Sequence, residues 1–390
     1  MTKVIFIVPD FYPHSTGFAN ASINLINAIK KYGHEEYDIH VFTDVSLGDT
    51  KEIEGVSVYR VPIPQTNKLN RLFVEHKRYR TLRDIINNNA IDIVFFETNT
   101  FPFIQNWIVR DFSDKVYVRI HSTADTEVVV YSKFKWYNPK ISIRKIFAFM
   151  RDVPNIVSTS TFYLDFVKHN YLNDNVYTIW NNKTYGLLYN TVRIDNPCKE
   201  PISSNRFLTM GKMSDNGLTQ KGMLDLIRAV YCIKTNGRLP DDFELTIIGE
   251  GVQLPVVRGF ISKLGLDDNI SILERVSHDD VLTRIASSKA IILLSRYEGQ
   301  SMFITESIAM GKPIIISDSN GMQDVIVNNL NGFLVKTGDI IDASIKIEKM
   351  MKLDDETLTS FGKESRNIYL NKYSEEKVYQ QFDNIIKTRY

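Results

Sequence analysis

A chain of 390 residues exceeds what one ordinary hydrophobic core encloses, so two domains of about 200 residues each are expected. Apolar residues make up 43% and charged residues 24%, the balance of a soluble globular protein, and a net charge of +1 argues against a dedicated nucleic-acid binder, so no nucleic acid is expected among the partners. Cys198 and Cys232, the two cysteines, stand far apart, which excludes a disulfide framework and a Cys-rich metal site and fits a reducing cytoplasm.

The run VIFIV (4–8) offers about five apolar residues against the roughly 7–15 of a signal-peptide core, and it reads as a buried first strand. The loop DFYPHSTGF leads to an amphipathic helix over 19–31, whose apolar stripe includes Ile23, Ile26 and Ile29. Strands are predicted at 38–42 and 56–61, a basic helix at 70–88, a strand at 91–96, a helix after Pro102 and a strand at 116–120. A strand at 156–160, a helix from Thr161 and a strand at 177–180 finish this half. Strands alternating with helices predict a parallel, doubly wound sheet. Right-handed crossovers place the loops after the strands along one edge, so the loops holding Gly17, Glu97 and His121 are expected to share a crevice.

Residues 195–204, DNPCKEPISS, are polar, hold two prolines and have no apolar period, which places the linker there. The domains expected are 1–197 and 198–373, with a closing helix at 374–390. The second series runs as strand 206–210, helix 222–235, strand 244–248, helix 253–264, strand 270–273 and helix 277–286. Next comes AIILLSRYEGQSMFITESIAMGKPIIIS (290–317), which reads as strand, loop, helix and strand, with Ser301 as N-cap and Gly311-Lys312-Pro313 as the stop. A strand at 332–335 and helices at 340–351, 355–370 and 374–386 close the chain. No apolar run approaches the ~20 residues of a membrane span, so any membrane contact is expected to be peripheral.

Chemistry concentrates after the strands of the second half. Glu298 and Gly299 follow one strand, where open α/β sheets bind ligands, and the next helix offers free N–H groups to an anion. Glu306 lies on that helix. Carboxylates facing an amide-lined anion site suit a sugar phosphate, although two acids alone are more often solvated surface. In GKMSDNGLTQKG, Lys212 and Lys221 could neutralise a diphosphate leaving group, or could flank a solvated turn. Gly249-Glu250-Gly251 lacks the third glycine of a dinucleotide motif but suits a tight turn that lets backbone approach a ligand. His121 reads either as a satisfied core histidine or, from its place on the ligand edge, as functional. No DxD tripeptide, metal-ligand spacing, Walker loop or G-x-S-x-G elbow occurs, so no metal is expected. The stretches 131–151 and 68–83 interleave basic and aromatic residues, which suits an anionic headgroup surface or an anionic acceptor, and equally a solvated helix face.

Gly211-Lys212, Lys221-Gly222, Gly249-Glu250-Gly251, the run from Glu298 to Pro313 and Asn331-Gly332-Phe333-Leu334-Val335 stand in the order seen in retaining glycosyltransferases of family 4, which this sequence resembles strongly in its second half and in outline in its first. The resemblance implies the GT-B fold, an α/β architecture of two Rossmann-like domains facing a central cleft, with the final helix crossing back to the first. The first domain would bind the acceptor and the second the nucleotide sugar. The implied catalytic residues are Glu298 at the donor sugar, Lys221 and Lys212 at the diphosphate, and His121 near the sugar. The implied donor-binding residues are Gly17, Gly249, Arg275, Gln300, Ser301, Met302, Phe303 and Glu306, the last on the ribose hydroxyls. Lys212 replaces the family's usual arginine and so lacks its bidentate fork. The activity implied is transfer of a sugar, with retention and without a metal or other cofactor, from a nucleoside diphosphate sugar to a sugar or lipid-linked saccharide acceptor. The implied setting is bacterial polysaccharide or glycolipid assembly in the cytoplasm, at the inner face of the plasma membrane. A nucleotide-sugar epimerase and a non-catalytic nucleotide-sugar binder are the alternatives.

Overall fold

The computed structural model describes residues 1–9, 11, 17–44, 53–61, 68–97, 102–121, 153–170, 183–198, 202 and 204–388. The predicted strand at 177–180 and the basic aromatic stretch 131–151 lie outside them. The chain divides into two compact units, Met1–Thr191 with Glu375–Tyr390, and Val192–Ser374. The division thus falls after Thr191, ahead of the polar linker read from the sequence.

The first unit is built on seven parallel strands: β1 (Thr2–Val8), β2 (Tyr37–Thr43), β3 (Ser57–Arg60), β4 (Ile93–Phe96), β5 (Val116–Ile120), β6 (Asn155–Ser158) and β7 (Thr184–Leu187). They stand in the order β3-β2-β1-β4-β5-β6-β7. All four residues of β4 and all five of β5 are buried, as expected of a parallel sheet covered on both faces. Helices α1 (Gly17–Gly33), α2 (Lys68–Asn88), α3 (Pro102–Phe112) and α4 (Thr161–Asn170) make the crossovers. The basic stretch 68–83 falls in α2, whose Tyr79, Leu82 and Ile86 are buried in the sheet-side core.

The second unit holds six parallel strands, β8 (Arg206–Met210), β9 (Glu244–Ile248), β10 (Ile270–Leu273), β11 (Ala290–Leu293), β12 (Ile314–Ser317) and β13 (Gly332–Val335), in the order β10-β9-β8-β11-β12-β13. Its helices are α5 (Asp215–Gln220), α6 (Met223–Thr235), α7 (Leu254–Lys263), α8 (His278–Ser287), α9 (Met302–Ala309), α10 (Ile340–Met351) and α11 (Asp355–Lys372). Helix α5 is a correction to the sequence reading, which left 211–221 as loop. Ser214 caps it by accepting from the Gly217 N–H at 3.1 Å, a six-residue turn of helix too short to show an apolar period. Helix α9 is buried from Phe303 to Ala309, polar Thr305, Glu306 and Ser307 included, so the stripe of Ile304, Ile308 and Ala309 is part of a helix enclosed nearly all round.

The last helix, α12 (Glu375–Lys387), belongs to the first unit. Phe382 is fully buried among Phe6, Tyr37 and Phe95, with ring centroids 5.3–6.0 Å apart. Tyr37 donates to Asp383 at 2.7 Å, and the Tyr189 N–H donates to Gln381 at 3.1 Å.

Candidate active site

In each sheet the strand order reverses once, between β1 and β4 in the first unit and between β8 and β11 in the second. At such a switch point the loops leaving the two central strands run in opposite directions and open a crevice at the carboxyl edge. Glu97 and His121 of the first unit follow β4 and β5, and Glu298 of the second follows β11.

In the second unit the loop after β8 and the loop after β11 are fastened together. The Arg296 N–H donates to the Gln220 carbonyl at 2.7 Å, and the Arg296 guanidinium reaches Asp225 at 2.6 Å. Gly222 has φ +60°, and a Cβ on it would stand 2.0 Å from the Leu294 carbonyl oxygen, so only glycine permits this approach. The contact carries the neighbouring Lys221 to Glu298, with Nζ and Oε2 2.5 Å apart, and Ser295 Oγ donates to the same oxygen at 3.1 Å. Both partners are mostly sheltered, at 20% and 13% side-chain exposure, which strengthens the pairing relative to a surface bridge. Lys212 stands exposed at the start of the β8 loop. The sequence treats the two lysines as one pair. In the structure Lys221 is bound to Glu298.

The Gly249-Glu250-Gly251 turn lies against this loop. Met213 donates its N–H to the Glu250 carbonyl at 2.9 Å, and a Cβ on Gly249 would lie 2.2 Å from the Gly211 carbonyl oxygen. Arg275 is exposed, at φ +50°, and its Nε is 3.6 Å from Glu250. Ser301 caps α9, accepting from the Ile304 N–H at 3.4 Å, and Gln300 donates to Thr305 at 3.0 Å, so the first turn of α9, with Met302 and Phe303, is held from both sides. Glu306, in the middle of α9, is buried, and the His278 Nε2 is 2.9 Å from its Oε1. The hydrogen bond to Glu306 raises the His278 pKa against the opposing effect of burial. His278 was missed in the sequence. Its signal was its place as first residue of α8, after a strand of the same sheet edge.

In the first unit Glu97, just beyond β4, is wholly buried. Arg119 from β5 gives its oxygens two hydrogen bonds at 3.1 and 3.3 Å, Ser22 from α1 donates at 3.3 Å, and His121 Nε2 lies at 3.2 Å. Burial opposes the charge on Glu97, but Arg119 and His121 outweigh it and hold the carboxyl below its usual range. Burial pushes the His121 pKa down. An ionised Glu97 accepts from Nε2–H, which leaves Nδ1 as the acceptor nitrogen. Phe18 packs edge-on against the His121 ring at 4.9 Å, beside the exposed Gly17 that begins α1. His121 is thus held by Glu97 with its side chain 18% exposed. Glu97 and Arg119 were absent from the expected site, although Glu97 was placed on the same loop edge.

Among the described residues no cluster of three or more His, Cys, Asp or Glu could hold a metal, and no helix is long and apolar enough to cross a membrane.

Residues 205–368 match the family model for Glycosyl transferases group 1. An uncharacterized glycosyltransferase of Methanocaldococcus jannaschii is 23% identical over 373 residues, spanning 94% of this chain and 93% of that protein. The UDP-Gal:alpha-D-GlcNAc-diphosphoundecaprenol alpha-1,3-galactosyltransferase of Escherichia coli is 26% identical over 159 residues, 40% of this chain and 39% of that one. The crystal structure of Anabaena HepE in complex with UDP and glucose matches over 100% of both chains with a TM-score of 0.72 at 14% identity, which shows a common fold. The match to the group 1 glycosyl transferase model thus falls within the second unit, the one with the Lys221–Glu298 pair at its switch point, in a chain with the GT-B fold.

Proposed function

We propose that this protein transfers a sugar, with retention of anomeric configuration, from a nucleoside diphosphate sugar to a hydroxyl of a saccharide acceptor. The reading rests on the Lys221–Glu298 pair, an ammonium and a carboxylate 2.5 Å apart at the carboxyl edge of the matched domain. A departing diphosphate needs positive charge as the bond to the anomeric carbon breaks. An ammonium has three N–H donors, so Lys221 can bind Glu298 and still face a phosphate oxygen, with the exposed Lys212 adding a second charge. Glu298 would hold the donor's ring hydroxyls and Glu306 the ribose hydroxyls, while the first turn of α9 and the turn at Gly249 approach sugar and phosphate with backbone. In the first unit, the crevice that holds Gly17 and His121 would take the acceptor. Attack on the face the diphosphate leaves, with that diphosphate as base, gives an α-linkage from an α-linked donor and requires no metal if the lysines carry the charge. Support for the donor comes from the UDP and glucose bound by HepE, and for a lipid-linked acceptor in surface polysaccharide assembly from the diphosphoundecaprenol substrate in the name of the Escherichia coli relative.

Product analysis after incubation with nucleoside diphosphate sugars and candidate acceptors tests this. A new glycoside supports transfer, whereas an isomerised donor or unchanged ligand would replace it with an epimerase or a binding protein. Lys221→Ala should lower turnover by ~10²–10³, the effect of losing one preorganised electrostatic group, and EDTA should leave the parent rate unchanged. A loss below about threefold would remove Lys221 from the mechanism.

A further inference from the structure

Helix α9 carries three consecutive polar side chains that are buried, Thr305, Glu306 and Ser307. Two of them bond to the backbone of the turn before them. Thr305 Oγ1 donates to the Ser301 carbonyl at 2.9 Å, and Ser307 Oγ donates to the Phe303 carbonyl at 2.6 Å. Glu306 instead meets another element, since His278, the first residue of α8, places Nε2 2.9 Å from Glu306 Oε1. An ionised carboxylate only accepts, so the proton of this bond is on Nε2. The start of α8 is itself fixed. Ser277 caps it by accepting from the Asp280 N–H at 3.1 Å, while its hydroxyl donates to the Asp280 carboxylate at 2.6 Å.

The two side chains differ in exposure. That of Glu306 is 9% exposed and that of His278 is 57% exposed. An imidazole more than half exposed gains little from packing, so the contact acts chiefly on the carboxylate, which is sheltered from water and needs donors. A carboxylate has about four lone-pair sites, and one N–H occupies one of them. Oε2 and the second site of Oε1 are left for two hydroxyls. We infer that His278 is a positioning residue for the nucleoside half of the donor: by holding Oε1 it fixes the plane of the Glu306 carboxylate, so that the remaining lone pairs meet the ribose hydroxyls. The inference rests on the proposed reading of Glu306 as the acid on the ribose. A carboxylate free to turn must be ordered when ribose arrives, a cost that a carboxylate already fixed does not meet. The diphosphate is assigned to other side chains, Lys221 and Lys212 on the loop after β8, so recognition of ribose and of phosphate can be measured apart.

Isothermal titration calorimetry on the full chain tests this with UDP, GDP, ADP and CDP, with the 2′,3′-dideoxy form of whichever binds most tightly, and with inorganic diphosphate. In the parent, loss of the ribose hydroxyls should weaken binding about 10–100-fold, the range for a hydrogen bond to a charged group. His278→Ala should weaken the ribonucleotide by up to about tenfold, the effect of ordering one side chain at binding, and should bind the dideoxy form and inorganic diphosphate as the parent does. Its preference for ribose then shrinks by the same factor. His278→Gln, whose amide N–H reaches about as far, should restore that preference, which a general loosening of the site would not allow. Binding of none of the four nucleotides would overturn the inference together with the nucleotide-sugar reading. A nucleotide bound by the parent without preference for ribose would overturn it by removing the ribose role of Glu306. If the parent prefers ribose and His278→Ala keeps that preference, or loses affinity for inorganic diphosphate to the same degree, the inference alone fails and the donor reading stands. Tighter binding by His278→Ala would mean that His278 covers Glu306 and must be displaced, which also overturns it.

Discussion

Glu298 and Glu306 belong to one stretch of sequence but stand beside different partners. Glu298 is tied to Lys221 and Ser295, at the point where charge would change during reaction, while Glu306 is bound to His278 and would hold ribose hydroxyls, whose charge would stay the same. Binding shared by ground and transition states alters KM, and binding gained only in the transition state alters kcat. Glu306→Gln should therefore mainly raise the donor KM, and Glu298→Gln should mainly lower kcat, by ~10² or more. Kinetics at saturating acceptor, on variants of matched thermal unfolding, check this, and a parental kcat in Glu298→Gln would refute it. His278 adds a pH dependence. Its pKa is raised in the folded protein by Glu306, so protonated His278 contributes stability that is complete below its ordinary value of 6.5 and is lost as pH rises through the raised value. Unfolding of the second unit in urea should separate parent from His278→Gln at a pH of about 5 and merge them at about 9. A separation equal at both would mean that the Glu306 contact is not linked to protonation.

At the scale of elements, the site depends on how closely two loops approach. Gly222 and Gly237 both have positive φ, +60° and +64°, but a Cβ on Gly222 would meet the Leu294 carbonyl while one on Gly237 would meet nothing within 4 Å. Alanine in the left-handed region costs about 1–2 kcal/mol by itself. Gly237→Ala should lose that much stability and keep full activity. Gly222→Ala must also push the β11 loop away, so it should lose more stability and separate Lys221 from Glu298, with a fall in kcat. Denaturant unfolding and kinetics on the pair give the comparison. Equal losses in both would show that the loop approach has slack.

At the scale of the whole chain, α12 completes the first unit although it follows the second in sequence. Phe382 fills the space between Phe6, Tyr37 and Phe95, and its burial is complete. Phe382→Ala should destabilise the first unit by about 3–5 kcal/mol, the range for a buried aromatic, and lower its unfolding midpoint while leaving that of the second unit in place. Calorimetry resolving two transitions is the check. A shift of both midpoints by the same amount would show that the units unfold together.

The alternation of apolar runs and amphipathic segments was enough to determine the two parallel sheets, because parallel strands buried on both faces must be continuously apolar and their crossovers must be helical. The strand–loop–helix–strand unit from Ala290 to Ser317, with Ser301 as its cap, was legible for the same reason, and so was the edge on which Glu298 and His121 lie. Strand β7, TYGL, was not, since four residues with a glycine carry no period and pairing with β6 alone makes them a strand. Nor was α5. Partner choice lay beyond the sequence as well. Lys221 meets Glu298, His278 meets Glu306, and Glu97 gathers Ser22, Arg119 and His121, across sequence separations of 77, 28, 75, 22 and 24 residues. Local pattern reports which face of an element is buried. Which charged groups meet is decided by strand order and by how closely the backbone of the loops can approach, and those exist only in the folded chain.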